Sequence, residues 1–317
     1  MKKIKLAVFV IIVLMVILTA WYFLFPGGVI KAGQVMGRCS SGLSAEGVQV
    51  GDHHWAYLEG RPGEGKETIL LLHGFAMEKD HWQPLSERLV GDYHLLIPDI
   101  PPFGESTAMA EGDYTIQAQV PRLRAFLEAV KAGPLHIMGV SMGGGIAGLF
   151  AARHPDMVKS LAMIGPYGVA CPRESEFQRL YRNGSFVLVF GTPEEYDRTL
   201  SFSLQNPMEL PGHIKAHIAS KGMKDRPFLT RCFNDQIRIS GWGLLERELG
   251  RITAPTLVIF GDKERIFDVS CAERYRKGIR GARVEVMKEC GHLAYIDNPE
   301  EAARIYRSFL EGLRSAH

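Results

Sequence analysis

The sequence predicts an α/β fold with a mostly parallel eight-stranded sheet and helices on both of its faces. Short apolar segments alternate with stretches of helical periodicity, which is the order that a covered parallel sheet requires. A serine between two glycines joins one apolar segment to a helix, and acidic residues and a histidine follow the last two segments. The predicted strands are residues 48–50, 54–58, 68–72, 94–97, 135–140, 160–164, 256–260 and 283–288.

The first segment, residues 6–25, is apolar apart from Thr19, Trp21 and Tyr22. As a helix it is about 30 Å long, the thickness of a bilayer core. Lysines precede it and aromatic residues lie near its far end, so we predict a single-pass membrane anchor over residues 1–26. The positive charges predict a cytoplasmic N-terminus, with the folded domain on the opposite side, which is the periplasm in a bacterium.

A cleaved signal peptide is the competing interpretation of this segment. Its apolar region is expected to be shorter, and small residues are expected at both positions before the cleavage site. Ala20 satisfies one of these positions, whereas Leu18 is too large for the other. The length of the segment and this mismatch therefore favour an uncleaved anchor.

Residues 27–47 are predicted to tether the anchor to the folded domain. Pro26 and two glycines end the first helix, and the richness in glycine and serine beyond them is typical of a flexible linker. The first two predicted strands then form a hairpin. Apolar spacing predicts helices at residues 115–131 and 299–313.

The composition limits the classes of partner and cofactor. The chain has 317 residues, enough for one α/β domain of about 250 residues and an appendage. Its net charge of +2 predicts no nucleic-acid partner. The five cysteines are scattered and lack C-x-x-C spacing, so they indicate neither a zinc site nor a disulfide framework, and we expect no metal and no cofactor. They are Cys39, Cys171, Cys232, Cys271 and Cys290.

Ser141 is the candidate nucleophile. Residues 139–143 read Gly-Val-Ser-Met-Gly and match G-x-S-x-G, in which a strained strand-to-helix turn exposes the serine hydroxyl. The apolar residues 135–138 precede the motif, and the small residues of 143–152 follow it, as close packing of strand and helix requires.

A serine hydroxyl is a weak nucleophile and needs a neighbouring base, for which His292 is the candidate. It follows the last predicted strand, downstream of an acidic cluster, which is the order serine, acid, histidine. Asp262, Glu264 and Asp268 compete for the role of the acid that orients the imidazole. We expect four other histidines to be structural, namely His73, His81, His136 and His154.

The candidate oxyanion hole consists of two backbone N–H groups. One belongs to Met142, directly after the nucleophile, and the other to Phe75, in the loop after the strand at 68–72. Asp99 and Ser106 lie in a second loop, which we interpret as a structural support for the first.

These segments resemble the α/β-hydrolase superfamily, in particular the bacterial cold-adapted lipases and the membrane-anchored monoacylglycerol lipases. The resemblance extends over about residues 50–315 and is weakest between about 168 and 250. By position it implies that Glu264 is the acid, although the family usually has aspartate there. Pro102 also replaces a glycine that the family usually has. The matching segments are residues 73–76, 79–82, 98–106, 261–270 and 291–294.

The resemblance also implies a helical cap over the site. About ninety residues separate the strands at 160–164 and 256–260, more than one connection needs. We therefore predict a core of residues 48–166 and 253–317 with a cap insert of residues 167–252. The apolar residues 186–190 suit a pocket for an acyl chain, although most of them are expected to form the interior of the cap.

The expected function is that of a membrane-anchored serine hydrolase that cleaves carboxylic esters through an acyl-enzyme. Acylglycerols, monoacylglycerol in particular, are the expected substrates. Carbon–carbon bond hydrolases and thioesterases use the same fold and are alternatives. A non-catalytic binding protein that retained the fold is an alternative of another class.

Overall fold

The computed structural model describes residues 2–61 and 65–315. Within these residues, eight strands form one sheet in the order β1-β2-β4-β3-β5-β6-β7-β8. The first two strands form an antiparallel hairpin, β2 pairs antiparallel with β4, and all other pairs are parallel. The strands are β1 (Leu43–Val50), β2 (His53–Gly60), β3 (Thr68–Leu72), β4 (His94–Pro98), β5 (Leu135–Val140), β6 (Val158–Ile164), β7 (Thr256–Gly261) and β8 (Arg283–Met287). The predicted sheet and hairpin are confirmed, and β1 begins five residues earlier than predicted.

Helices cover both faces of the sheet, as predicted. Side chains alternate along β3, so that Leu70 and Leu72 face one apolar core while Ile69 and Leu71 face the other. The first core packs against α4, α5 and α9, and the second against α3, α10 and α11. The helices are α1 (Lys2–Leu24), α2 (Pro26–Ser40), α3 (Gln83–Leu89), α4 (Ile116–Ala129), α5 (Met142–Arg153), α6 (Glu176–Arg182), α7 (Pro193–Ser203), α8 (Gly212–Ser240), α9 (Cys271–Gly278), α10 (Ala294–Asp297) and α11 (Pro299–Ser315).

Helix α1 is long and apolar enough to cross a membrane. It has 23 residues, none of them buried, and its most apolar 18-residue stretch has a mean hydropathy of 2.8. An isolated apolar helix of this length matches the hydrocarbon thickness of a bilayer. Most of the large hydrophobic side chains that the described residues expose lie on α1.

The predicted tether over residues 27–47 is wrong, because residues 26–40 form α2 and β1 begins at Leu43. Proline at the start of α2 suits a first helical turn. The glycines serve close packing rather than flexibility. If Gly27 had a Cβ atom, it would lie 3.0 Å from the His217 ring, and a Cβ atom on Gly37 would lie 1.9 Å from the Gln83 side chain. Glycine lets α2 pack against α8 and α3.

The segment between β6 and β7, which the sequence analysis predicts as a helical cap insert, contains helices α6, α7 and α8. Threonine and serine side chains cap two of them. Ser175 accepts from the Gln178 N–H at the start of α6, and Thr192 accepts from the Glu195 N–H at the start of α7. These bonds satisfy N–H groups that a helix leaves unpaired at its first turn.

Cys171 and Cys271 form a disulfide, so the prediction that the cysteines indicate no disulfide is wrong. The two residues are 100 positions apart in sequence. They meet because Cys171 follows β6 and Cys271 follows β7, and these two strands are neighbours in the sheet. Sequence spacing alone does not show that proximity.

Candidate active site

Ser141 occupies a strained turn between β5 and α5, as the G-x-S-x-G motif predicts. Its backbone has φ 55° and ψ −120°, an unfavourable conformation for a residue with a side chain. Its N–H donates to Ile164 O at 2.9 Å. A Cβ atom placed on Gly139 would lie only 2.3 Å from Gly143 O, and one placed on Gly143 would lie 2.3 Å from Leu72 O. The turn therefore requires glycine on both sides of the serine.

The loop after β3 passes directly beside Ser141. A Cβ atom placed on Gly74 would lie 3.3 Å from the Cβ of Ser141. Gly74 is thus close to the serine, and the Phe75 N–H belongs to the next residue of the loop. Within the described residues, that N–H donates to no other group. Met142 is the first residue of α5, where N–H groups have no partner in their own helix. The structure thus brings both predicted oxyanion residues next to the serine.

His73 is fully buried at the start of this loop, and its geometry fits the predicted structural role. Its Nε2 accepts from the Ile100 N–H at 2.9 Å, so the proton is on Nδ1, which donates to Gly74 O at 2.8 Å. Burial lowers the pKa of His73 to about 4. The neutral imidazole therefore joins the loop that carries Phe75 to the loop after β4.

This pKa predicts an acid-sensitive contribution of His73 to stability. Because the pKa in the folded state lies below the value of about 6.5 in the unfolded chain, the contribution is complete above pH 6.5 and decreases toward pH 4. The loss amounts to at most about 3 kcal/mol. We expect the melting temperature to fall more between pH 7.5 and pH 5 in the wild type than in a His73→Gln variant. Equal decreases in both proteins would contradict this assignment.

Glu264 is the acid that contacts His292. Its Oε2 accepts from His292 Nδ1 at 2.7 Å, and both side chains are buried. Its other oxygen accepts from the N–H groups of Ile266 at 2.7 Å and Phe267 at 3.2 Å. These bonds hold the carboxylate in place, and the carboxylate in turn fixes the imidazole with Nδ1 protonated. His292 Nε2 is then available as a base.

The other two candidate acids do not pair with the histidine in the part of the chain that the structure describes. Asp268 accepts from the Ser270 N–H at 2.8 Å and pairs with Arg173 at 3.1 Å. Asp262 lies 4.0 Å from the Lys263 ammonium, and within the described residues neither Asp262 nor Asp268 forms a hydrogen bond with the histidine. The structure therefore favours the carboxylate that the resemblance indicates.

Ser141 and the pair of Glu264 and His292 flank the same short turn after β6. Ser141 is hydrogen-bonded to Ile164, and the next residue, Gly165, adopts φ 45°. A Cβ atom placed on Gly165 would lie 2.9 Å from His292 Nδ1 and 3.0 Å from Glu264 Oε2. Only a residue without a side chain fits here. Among the described residues the Ser141 hydroxyl has no hydrogen-bond partner, so its bond to the imidazole stays a prediction.

Asp297 supports the His292 loop and was missed from the sequence. Its carboxylate accepts from the Gly291 N–H at 2.7 Å and from the Gln205 N–H at 3.0 Å. Leu293 also donates to Ser203 O at 2.9 Å. These bonds join the histidine loop to the end of α7. No motif identifies Asp297, because its partners on the insert are about ninety residues away in sequence.

Aromatic side chains of the insert pack against Phe75, in the loop beside Ser141. The Phe75 ring lies 5.2 Å from that of Phe233, and the Phe267 ring lies 5.6 Å from that of His292. A cavity of about 530 Å³ borders this cluster at Tyr181 and Trp242. The arrangement places aromatic side chains, most of them buried, beside the candidate nucleophile, base and backbone donors. Further members of the cluster are Phe177 and Phe186.

The sheet order, the strained serine turn and the paired histidine and glutamate define an α/β hydrolase. The family described as alpha/beta hydrolase fold matches residues 67–299, and the chain belongs to this family. The predicted fold and the resemblance to lipases are confirmed.

The chain is similar to lipases over most of its length. The monoacylglycerol lipase abhd6-A of Xenopus laevis is 30% identical over 304 residues, which cover 93% of this chain and 90% of that protein. Lipase 1 of Psychrobacter immobilis is 32% identical over 247 residues, which cover 77% of this chain and 76% of that protein. The crystal structure of a membrane phospholipase A, a bacterial virulence factor, has a TM-score of 0.88 at 36% identity and covers 99% of both chains. These relatives support a lipase or esterase.

Proposed function

We propose that this protein is a serine esterase that hydrolyses lipid esters through an acyl-enzyme. The observation that carries the proposal is the 2.7 Å bond between Glu264 and His292, placed beside the turn that also holds Ser141. A base oriented by a carboxylate next to a serine on a strained turn is the arrangement that activates a hydroxyl for attack.

In the proposed reaction, Ser141 Oγ attacks the ester carbonyl while His292 Nε2 takes the hydroxyl proton. The carbonyl oxygen becomes negatively charged and is stabilised by the N–H groups of Phe75 and Met142. When the tetrahedral intermediate collapses, His292 gives its proton to the departing alkoxide and the alcohol leaves. Water then attacks the acyl-enzyme with the same base, which releases the carboxylic acid and restores Ser141.

Monoacylglycerol or a similar single-chain lipid is the proposed substrate. Phe75 and Phe186, the partly exposed members of the aromatic cluster, offer an apolar surface for an acyl chain next to the proposed oxyanion donors. The names of the relatives point to the same substrate class. Phospholipids form a second candidate class, because the 36% identical neighbour is a membrane phospholipase A.

We further propose that α1 crosses the membrane with its N-terminus in the cytoplasm. Lys2, Lys3 and Lys5 precede the apolar stretch, and the positive-inside bias places them on the cytoplasmic side. The disulfide between Cys171 and Cys271 supports this orientation independently, since disulfides persist in oxidising compartments such as the periplasm.

A hydrolysis panel tests the proposed substrate class. The full-length protein in detergent is assayed with mono-, di- and triacylglycerols, a phosphatidylcholine and an acyl thioester of the same chain length. We expect the highest kcat/KM for monoacylglycerol. A preference for phosphatidylcholine supports the second candidate. Thioester cleavage alone, or no hydrolysis of any oxygen ester, would contradict the proposal.

A further inference from the structure

Helix α2 is bound to the end of the loop that carries Phe75. Gln34 donates to Glu78 Oε1 at 2.7 Å. Arg38 donates from Nε to Asp80 Oδ1 at 2.7 Å, and a second guanidinium nitrogen binds the other carboxylate oxygen. Both members of the Arg38–Asp80 pair are only 7% exposed. A two-point bond of this kind fixes the orientation as well as the separation of its partners.

Lys79, between the two residues bound to α2, anchors the same loop to the interior. Its N–H donates to Asp99 Oδ1 at 2.7 Å, and its ammonium group binds Asp99 Oδ2 at 2.6 Å and Glu105 at 2.7 Å. Lys31 of α2 also binds Glu105. Hydrogen bonds from Lys31 and Lys79 lower the pKa of Glu105 to about 2. The cluster therefore remains charged at neutral pH.

The position of the Phe75 N–H depends on what holds the two ends of its loop. Between residues 73 and 79 the internal backbone bond runs from the Met77 N–H to Gly74 O and is long, at 3.3 Å. His73 holds one end, and the charged cluster of residues 78–80 holds the other. A buried carboxylate that loses its partner must move to water or rearrange, because an unpaired buried charge is costly. Asp80 also accepts from the Gln83 amide at 2.6 Å, but this neutral donor does not replace the guanidinium charge, so loss of Arg38 is expected to move Asp80 and the loop before it.

We propose that Arg38 is a positioning residue for ester hydrolysis: its bond to Asp80 aligns the Phe75 N–H with the oxyanion. This inference rests on the proposed function of the site. It also couples α2, which begins where the membrane helix ends, to the rate of the reaction. Charge stabilisation by a fixed donor depends on its alignment, and misplacement of about 1 Å costs up to 100-fold in rate.

The test compares Arg38→Met with Arg38→Lys in the full-length protein in detergent, using p-nitrophenyl butyrate as substrate. Active sites are counted with a fluorophosphonate, so that kcat refers to folded enzyme. We expect Arg38→Met to lower kcat about 10- to 100-fold with KM within about twofold, and Arg38→Lys to recover part of the loss. A trifluoromethyl ketone, whose adduct with serine carries an oxyanion, should bind more weakly by about the same factor as kcat falls.

Arg88→Met is the matched control. It removes an arginine–carboxylate pair between α3 and α11, Arg88 with Glu300, which shares no partner with residues 78–80. We expect wild-type kinetics. Three results would overturn this inference and leave the proposed function intact. They are a normal kcat in Arg38→Met, an equal loss of kcat in Arg88→Met, and a lower kcat in Arg38→Met with unchanged affinity for the ketone. Full activity of a Ser141→Ala enzyme would overturn the proposed function together with it.

Discussion

Replacing Ser141 by alanine is expected to lower kcat for ester hydrolysis by about 10⁴-fold or more. The substitution removes the attacking oxygen, and no other group of the site is placed to form the acyl-enzyme. Alanine keeps the backbone angles of the turn, so the melting temperature is expected to change little. The measurement is kcat for p-nitrophenyl butyrate and for monoacylglycerol, with thermal unfolding to verify the fold.

Ser220→Ala is the control for this prediction. Ser220 lies exposed on α8, and its loss is expected to leave kcat unchanged. Equal rates in the wild type and in Ser141→Ala would favour the non-catalytic alternative and remove the basis of the mechanism.

Replacing Glu264 by glutamine is expected to lower kcat by about 10²- to 10⁴-fold. The variant keeps the length of the side chain but removes the charge that stabilises the imidazolium, and an amide N–H facing Nδ1 favours the wrong tautomer of His292. The buried bond at 2.7 Å is the one that the substitution alters. The measurement is kcat for p-nitrophenyl butyrate, with thermal unfolding to verify the fold.

Asp262→Asn is the matched comparison, because Asp262 is two residues away and carries the same charge. Among the described residues its carboxylate forms no hydrogen bond with Ser141 or His292, so we expect kcat within a few-fold of the wild type. If Asp262→Asn lost activity and Glu264→Gln did not, the assignment of Glu264 as the acid would be wrong.

The sheet and the serine turn could be predicted from local sequence, because each depends on residues that are neighbours in the chain. Strand β5, the glycines around Ser141 and helix α5 follow one another within about twenty residues. The acid could not be chosen in this way. Asp262 and Glu264 both follow β7, and the direction of each side chain depends on the hydrogen bonds of the loop, which bind Glu264 to Ile266 and Phe267.

The failures of prediction have one physical cause, which is contact between distant segments. The glycines of α2 indicated flexibility, but they allow close packing on Gln83 and His217. The disulfide joins residues that follow neighbouring strands. Asp297 is identified only by its bond to Gly291 and to the insert. Composition and spacing carry no information on such contacts, whereas the resemblance to lipases indicated the position of the acid.

The most direct measurement is the location of a fluorophosphonate adduct in the full-length protein, determined by tryptic digestion and mass spectrometry. Residues 132–153 form one tryptic peptide, in which Ser141 is the single residue with a hydroxyl group. The mechanism predicts one adduct, on this peptide, and much slower labelling in a His292→Ala variant. An adduct on another peptide, or labelling that does not depend on His292, would contradict it.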